Sequence, residues 1–304
     1  MTATLQILFD ALSVGSIYAL GALGIALIFG VMRLVNFAHG DYIAFCVFVM
    51  LWPSLDVVSI VFLGKLPWYL LIPVILAVGA GLSILSEILV FRRLRNANPA
   101  TMMIASFALG FVIHHVLLMF YSSRPKAINL WSNLSLPVEI AGARIPLLQV
   151  ITIIMTIVIL LALVAFLRRT QFGVEMRAAA EDFTMARILG VKANRVILAA
   201  FGVSGALAGC IALILATQTG VADINMGLPV MLVAFVATVI GGLGSLHGAV
   251  IAGFLIGGVS VLLQVFLPLE ARPFRDAFVY SAVIASLLWR PQGLFAPKSS
   301  KERV

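Results

Sequence analysis

The chain has 304 residues, of which 62% are hydrophobic and only 11% charged, and its mean hydropathy is +1.16. A soluble domain carries about a quarter charged residues, so this composition excludes a soluble globular enzyme, a disordered chain and a nucleic-acid reader. The net charge of +8 comes from 20 Lys and Arg against 12 Asp and Glu, and on such a chain basic residues mark loops held on the cytoplasmic side of a membrane.

Apolar runs long enough to cross a bilayer, about 20 residues each, fall at 7–31, 42–63, 68–91, 100–120, 147–167, 195–217, 247–267 and 274–290. A ninth piece, 228–241, is shorter and ends in glycines. The runs are continuous rather than alternating, which selects helices over a barrel. The sequence therefore predicts an all-α polytopic membrane protein with eight or nine transmembrane helices, some broken by glycine, forming one transmembrane domain over 1–304. The first run contains Asp10 and has no basic stretch before it, so it reads as a retained helix rather than a signal peptide. Cys46 and Cys210 both lie inside apolar runs, without disulfide or metal spacing.

Counting Lys and Arg by loop gives an orientation. Fourteen sit with Arg33, the Arg92–Arg95 cluster, the 168–195 loop and the stretch from Arg290 onward, against six in the alternate loops. The richer side is cytoplasmic, which predicts an outside N-terminus, an inside C-terminus and an odd number of crossings. Nine satisfies that parity if 228–241 spans; a re-entrant hairpin over 228–248 is the alternative. The loop 121–146, with Trp131, Asn133, Pro137 and Glu139, then faces outward, and 168–195 faces inward.

Three segments stand out along the chain. After the first run, Asn36, His39 and Asp41 are polar groups packed between apolar stretches, with Gly40 permitting a sharp turn. Ionisable groups at membrane depth mark solute paths, whereas a cytoplasmic turn would leave them in water. The inner loop carries Met176, Ala179, Ala180, Phe183, Ala186 and Gly190 at helical spacing on one side, with Glu181, Asp182, Thr184 and Arg187 around the other. Glycine at 190 is a natural stop. A surface-lying connector normally bears Lys and Arg on its polar face; two acids in its place suit a groove on a protein partner. The third segment, Gly241 to Gly248, holds four glycines in eight residues. It lacks the Lys-Ser/Thr ending of a phosphate-binding loop, so Gly241, Gly242, Gly244 and Ser245 read either as a broken helix junction beside a solute path or as a plain turn.

Small-residue pairs, Gly205/Gly209 and Gly253/Gly257, let helices approach closely, within the subunit or between subunits. His114 and His115 sit mid-run, opposite a path or simply hydrogen-bonded in the packing. No catalytic constellation, metal-ligand set or cofactor motif is visible.

Together, G-S-I-Y-A-L-G-A-L-G (Gly15 to Gly24), N-F-A-H-G (Asn36 to Gly40), A-E-D-x-x-x-A-x-x-L-G (Ala180 to Gly190), G-G-L-G-S-x-x-G (Gly241 to Gly248) and R-P-Q-G-L-F (Arg290 to Phe295) resemble the integral-membrane permeases of ABC importers for branched-chain amino acids. Their order covers nearly the whole chain, with 121–146 matching no motif. The resemblance implies a multi-pass subunit of the bacterial inner membrane. It also implies a second permease subunit, cytoplasmic ATPases that hydrolyse the ATP, an extracytoplasmic solute-binding protein and no nucleic acid. The Ala180–Gly190 stretch would contact the ATPase. Similar permeases move urea, short amides or other small acids, which leaves the solute open. A stand-alone secondary transporter would be expected to bury acids in mid-span, and Asp10, Asp56 and Glu87 lie near run ends.

Overall fold

The computed structural model describes residues 2–56, 60–95, 97–131, 136–140, 143–181, 183–289 and 293–295. In chain order the helices are α1 (Thr2–Met32), α2 (His39–Phe48), α3 (Trp68–Ser86), α4 (Arg92–Leu94), α5 (Pro99–Tyr121), α6 (Leu147–Arg169), α7 (Gln171–Glu181), α8 (Phe183–Ile188), α9 (Ala193–Thr219), α10 (Gly227–Gly241), α11 (Leu246–Phe266) and α12 (Arg275–Trp289). A π turn at Glu87–Phe91 joins α3 to α4. Among the described residues, six helical stretches are long and apolar enough to cross a membrane: α1, α3 through α4, α5, α6, α9 and α11. The polytopic, mainly helical class is thus present. The strands are two short antiparallel ribbons, β1 (Lys126–Ala127) with β4 (Val221–Ala222) and β2 (Pro137–Ile140) with β3 (Ala143–Pro146).

Local chemistry sets several helix ends. Asn98 caps α5, its side chain accepting from the Ala100 N–H at 3.1 Å, and Pro99 takes the first helical position, where a missing N–H costs nothing. At the end of α9, Gly220 adopts the left-handed conformation with φ +65°. The run 42–63 departs from expectation: it is not one spanning helix. α2 ends at Phe48, and the chain then folds back on itself, with the Trp52 N–H donating to Ile60 at 2.7 Å and the Phe62 N–H to Met50 at 2.9 Å. Pro53, Ser54 and Asp56 break the apolar run at this point, and Pro53 cannot donate to continue a helix.

The chain divides into two compact units. One comprises Met1–Ala26, Ser132–Val164 and Val233–Val304. Within it α11 lies directly on α1: a Cβ at Gly253 would stand 2.6 Å from the Ala19 Cα, and Gly257 faces Gly15. Gln149 of α6 donates to the Asp10 carboxylate at 2.7 Å, which gives that acid a partner inside the apolar region. The other unit comprises Leu27–Trp131 and Ala165–Leu232. Here α3 and α9 cross at Gly79 and Gly205, and a Cβ at Gly209 would stand 2.8 Å from the Ile75 carbonyl oxygen. Both G-x-x-x-G pairs are therefore used in packing within the chain, where dispersion between close backbones replaces the hydrophobic drive that lipid removes. α2 lies against α3, α5 and α9, with eight of its ten residues buried.

Candidate functional site

The break between α1 and α2 is a buried polar turn. Asn36 is fully buried; its Oδ1 accepts from the Ala38 N–H at 3.2 Å, and its Nδ2 donates to the Tyr42 hydroxyl at 3.4 Å. His39, also fully buried, has Nδ1 3.4 Å from Ser204 Oγ of α9, and its Nε2 has no hydrogen-bond partner among the described residues. Gly40 abuts the start of α10: a Cβ there would stand 3.0 Å from the Gly227 carbonyl oxygen and 3.1 Å from Met231 Cβ. The first turns of two short helices thus touch backbone to backbone at a point where any side chain would separate them. Because these groups are enclosed, the reading of Asn36 and His39 as a hydrated turn does not hold.

Beside α2 lies a cavity of ≈ 320 Å³ lined by residues of α2, α5, the start of α10 and the chain just before each short helix. Asp41, His114, His115 and Asn225 contribute its polar groups. His114 Nδ1 is 3.7 Å from Asp41 Oδ1, and His115 is tied to its own helix at 2.9 Å through Nδ1 and the Phe111 carbonyl. Phe37 and Phe107 stack at 4.1 Å on the apolar wall. Asp41 and the two histidines stand out separately in the sequence, and 72 intervening positions conceal that Asp41 and His114 face each other.

The glycine segment at the end of α10 is a tight turn. Gly242 and Gly244 have φ of +100° and +91°, a region in which side chains are strained. Gly241 and Gly248 meet through their backbones, so the turn closes on itself. Ser245 caps α11, its Oγ accepting from the Gly248 N–H at 3.1 Å. The Leu294 and Phe295 N–H groups donate to Ile240 and Gly241 at 2.7 and 3.2 Å, which seats part of the R-P-Q-G-L-F motif on the turn; Arg290, Pro291 and Gln292 lie outside the described residues.

The inner loop is helical on both sides of Asp182, in α7 and α8. Asp182, between them, lies outside the described residues, as do the side chains of Glu181 and Phe183. Met176, Ala179 and Ala186 are buried, and the Arg33 guanidinium donates to the Ala180 carbonyl at 3.4 Å. The face read from the sequence as the docking side is, at Ala186, used in the protein's own packing. The large apolar residues left outside are others: Met185, Ile188 and Leu189 are 58%, 74% and 83% exposed. α8 ends as expected at Gly190, with φ +93°. The Gly190 N–H donates to Arg187 at 3.1 Å and the Val191 N–H to Ala186 at 3.0 Å, the paired bonds of a Schellman stop.

Two charged groups gain roles that no local motif announces. Lys126, almost fully buried, donates through Nζ to the carbonyls of Ser54 at 2.6 Å and Asp56 at 2.7 Å, pinning the fold-back after α2. Burial pushes its ammonium below the usual lysine value, with the Asp56 charge opposing. Glu87, fully buried at the π turn, accepts from Arg92 at 3.0 Å and from Arg95, which also donates to Asn194 at the start of α9. Two arginines that set the orientation count thus also neutralise a buried acid.

Comparison with known proteins places these features in a family. Residues 7–287 match the family described as branched-chain amino acid transport system / permease component. The chain is similar to the high-affinity branched-chain amino acid transport system permease protein BraD of Pseudomonas aeruginosa, 31% identical with 95% of each chain covered. It is similar to LivH of Salmonella typhimurium, 30% identical over 95% of this chain and 94% of that one. A shorter similarity, 32% over 39% of this chain, joins it to the autoinducer 2 import system permease protein LsrC of Klebsiella pneumoniae. No solved structure matches it significantly. With the match running through every long helix and both breaks, this chain belongs to the branched-chain amino acid transport permease family and is an integral membrane transport subunit rather than an enzyme.

Proposed function

We propose that the chain is the membrane permease subunit of an ATP-driven importer of branched-chain amino acids in the bacterial inner membrane. It works with a second permease subunit, cytoplasmic ATPases and an extracytoplasmic solute-binding protein, and performs no chemistry on the solute. The observation that carries the coupling half of this reading is the connector α7–α8. It joins two apolar helices, its buried face is held by its own chain, and its far end presents Ile188 and Leu189 to the outside. Apolar side chains so exposed on a polar connector suit a groove on a protein. ATP-driven movement of that partner reaches α7, and the Arg33–Ala180 hydrogen bond leads on to the Asn36–Gly40 break three residues later. Asn36, His39 and Gly40 border the solute path, supported by their burial and by His39 Nε2, which has no partner among the described residues. Gly241, Gly242, Gly244 and Ser245 form the stiff turn on which α10 and α11 move together.

In this reading the six long helices are joined by three shorter crossings, α2 with its fold-back, α10 and α12. Nine crossings place the N-terminus outside, the C-terminus in the cytoplasm, 121–146 outward and 168–195 inward, all within one permease domain. Reporter fusions after Val304 and within 121–146 are expected on opposite sides; the same side for both would sink the topology. Coupling is tested by Leu189→Asp, which places a charge where the partner must desolvate it. Mispairing a buried interface group costs about 2–5 kcal/mol, so ATPase co-purification should fall more than about tenfold while the protein inserts normally. Full ATPase recovery would return the connector to a membrane-surface role. Leucine uptake by the assembled importer tests the solute; urea or a short amide carried in its place would move the chain to another branch of the family.

A further inference from the structure

We propose that the cavity beside α2 is a solute subsite that selects for a primary ammonium group, with the Asp41 carboxylate as its counter-ion. The proposal rests on the importer reading and narrows its solute to compounds with a free amino group. At ≈ 320 Å³ the cavity lies at the lower end of ligand pockets, about 300–1,000 Å³, which fits a small solute. Its wall is aromatic and aliphatic, with Phe37 stacked on Phe107 and with Phe111 and Leu228 beside them. Such a wall accepts an apolar side chain.

Asp41 is the one acid among the lining residues. α5 makes room for it: a Cβ at Gly110 would stand 2.5 Å from Asp41 Oδ2. His114 approaches Oδ1 to 3.7 Å, beyond hydrogen-bond length. An anion against apolar walls is costly unless a cation meets it. An ammonium group would supply that cation together with charge-assisted hydrogen bonds. Urea and short amides carry no cation, so the carboxylate gains little from them. The ring N–H of His114 and the Asn225 amide lie on the same cavity and can donate to the carboxylate of an amino acid.

The test is saturation-transfer NMR, which reads weak binding, on the permease assembled with its partner permease and ATPases in nanodiscs, without the binding protein. The probes are leucine, isoamylamine (the cation without the carboxylate) and isocaproate (the carboxylate without the cation). Leucine and isoamylamine should bind and displace each other, with isocaproate weaker by about tenfold or more. Asp41→Asn should weaken both amines by about tenfold or more, and Asp41→Glu should keep the preference for the cation. Equal binding of isoamylamine and isocaproate, no binding of any probe, or unchanged amine binding in a folded Asp41→Asn would overturn the subsite. The wild-type comparison of amine and acid decides the matter even where Asp41→Asn fails to fold. Leucine uptake by the complete importer separates the two levels. Uptake without an amine preference removes the subsite alone, and absence of uptake removes the importer reading.

Discussion

At Asn36–Gly40 the chain encloses polar side chains, one of which keeps a ring nitrogen without a partner among the described residues; at Gly241–Gly248 the fully enclosed residues are glycines. Both segments interrupt an apolar pattern with glycine and small polar residues. In the first, a glycine from each of two short helices, Gly40 and Gly227, lets them meet, and neighbouring side chains supply hydrogen bonds to a buried turn. In the second, backbone at positive φ reverses the chain, and the segment 293–295 closes over it. A break that spends polar side chains inside an apolar protein carries a cost that packing alone does not explain, since a plain turn needs none of them. In the proposed function the first break borders the solute path and the second stiffens the α10–α11 junction.

Gly242→Val should give the largest effect and act on folding. A β-branched side chain at φ +100° costs about 3 kcal/mol, and the chain at Gly293 packs so close that a Cβ there would stand 2.7 Å from the Gly242 Cα. The expected outcome is low yield and a depressed melting temperature, read by thermal unfolding in detergent. A normally stable Gly242→Val with no uptake would instead make this turn a gate and erase the contrast.

Glu87→Gln comes next and serves as a reference outside both breaks. It leaves Arg92 and Arg95 without their shared acid. A fully buried pair would lose about 3–5 kcal/mol, but Arg92 is 37% exposed, so water screens it and about 2 kcal/mol is expected. Denaturation should show that loss, and Glu87→Gln combined with Arg92→Gln should recover part of it.

Asn36→Leu removes the acceptor of the Ala38 N–H and the partner of the Tyr42 hydroxyl, at about 1–3 kcal/mol. Its uptake loss should exceed what the reduced amount of folded protein accounts for. Proportional losses would make Asn36 a structural cap and nothing more.

The smallest effect on stability belongs to His39→Leu. One ring nitrogen already lacks a partner among the described residues, so an apolar replacement is near neutral, within about 1 kcal/mol. Uptake should nonetheless collapse while assembly with the ATPase persists. Retained uptake in a stable His39→Leu would reduce the first break to the same mechanical role as the second.

Much of the fold was legible because membrane helices obey a simple length and hydropathy rule. The runs at 100–120, 147–167, 195–217 and 247–267 fall within α5, α6 and α9 or within a residue of α11, and capping residues such as Asn98 and Ser245 stand where helices begin. The run 42–63 failed the same rule because hydropathy averages over Pro53 and Asp56, while one missing donor and a short polar stretch suffice to turn the chain. In the inner loop, helical spacing found the amphipathic character but not which face the protein keeps: Ala186 turned inward, and Ile188 and Leu189 stayed outside.

Composition and periodicity determined that this chain lies in a membrane as helices, because lipid forces each backbone group to find its partner within the segment. The ordered motifs determined its family, since their spacing reflects a whole-chain pattern. Only the tertiary structure decided which polar groups meet. Asp41 faces His114, Lys126 holds carbonyls of Ser54 and Asp56, and Glu87 gathers Arg92 and Arg95. The Asp41–His114 pair forms where α2 lies against α5 beside Gly110, at which a Cβ would stand 2.5 Å from Asp41 Oδ2. A crossing fixes neighbours by geometry in three dimensions, and hydropathy read along one dimension carries no record of it.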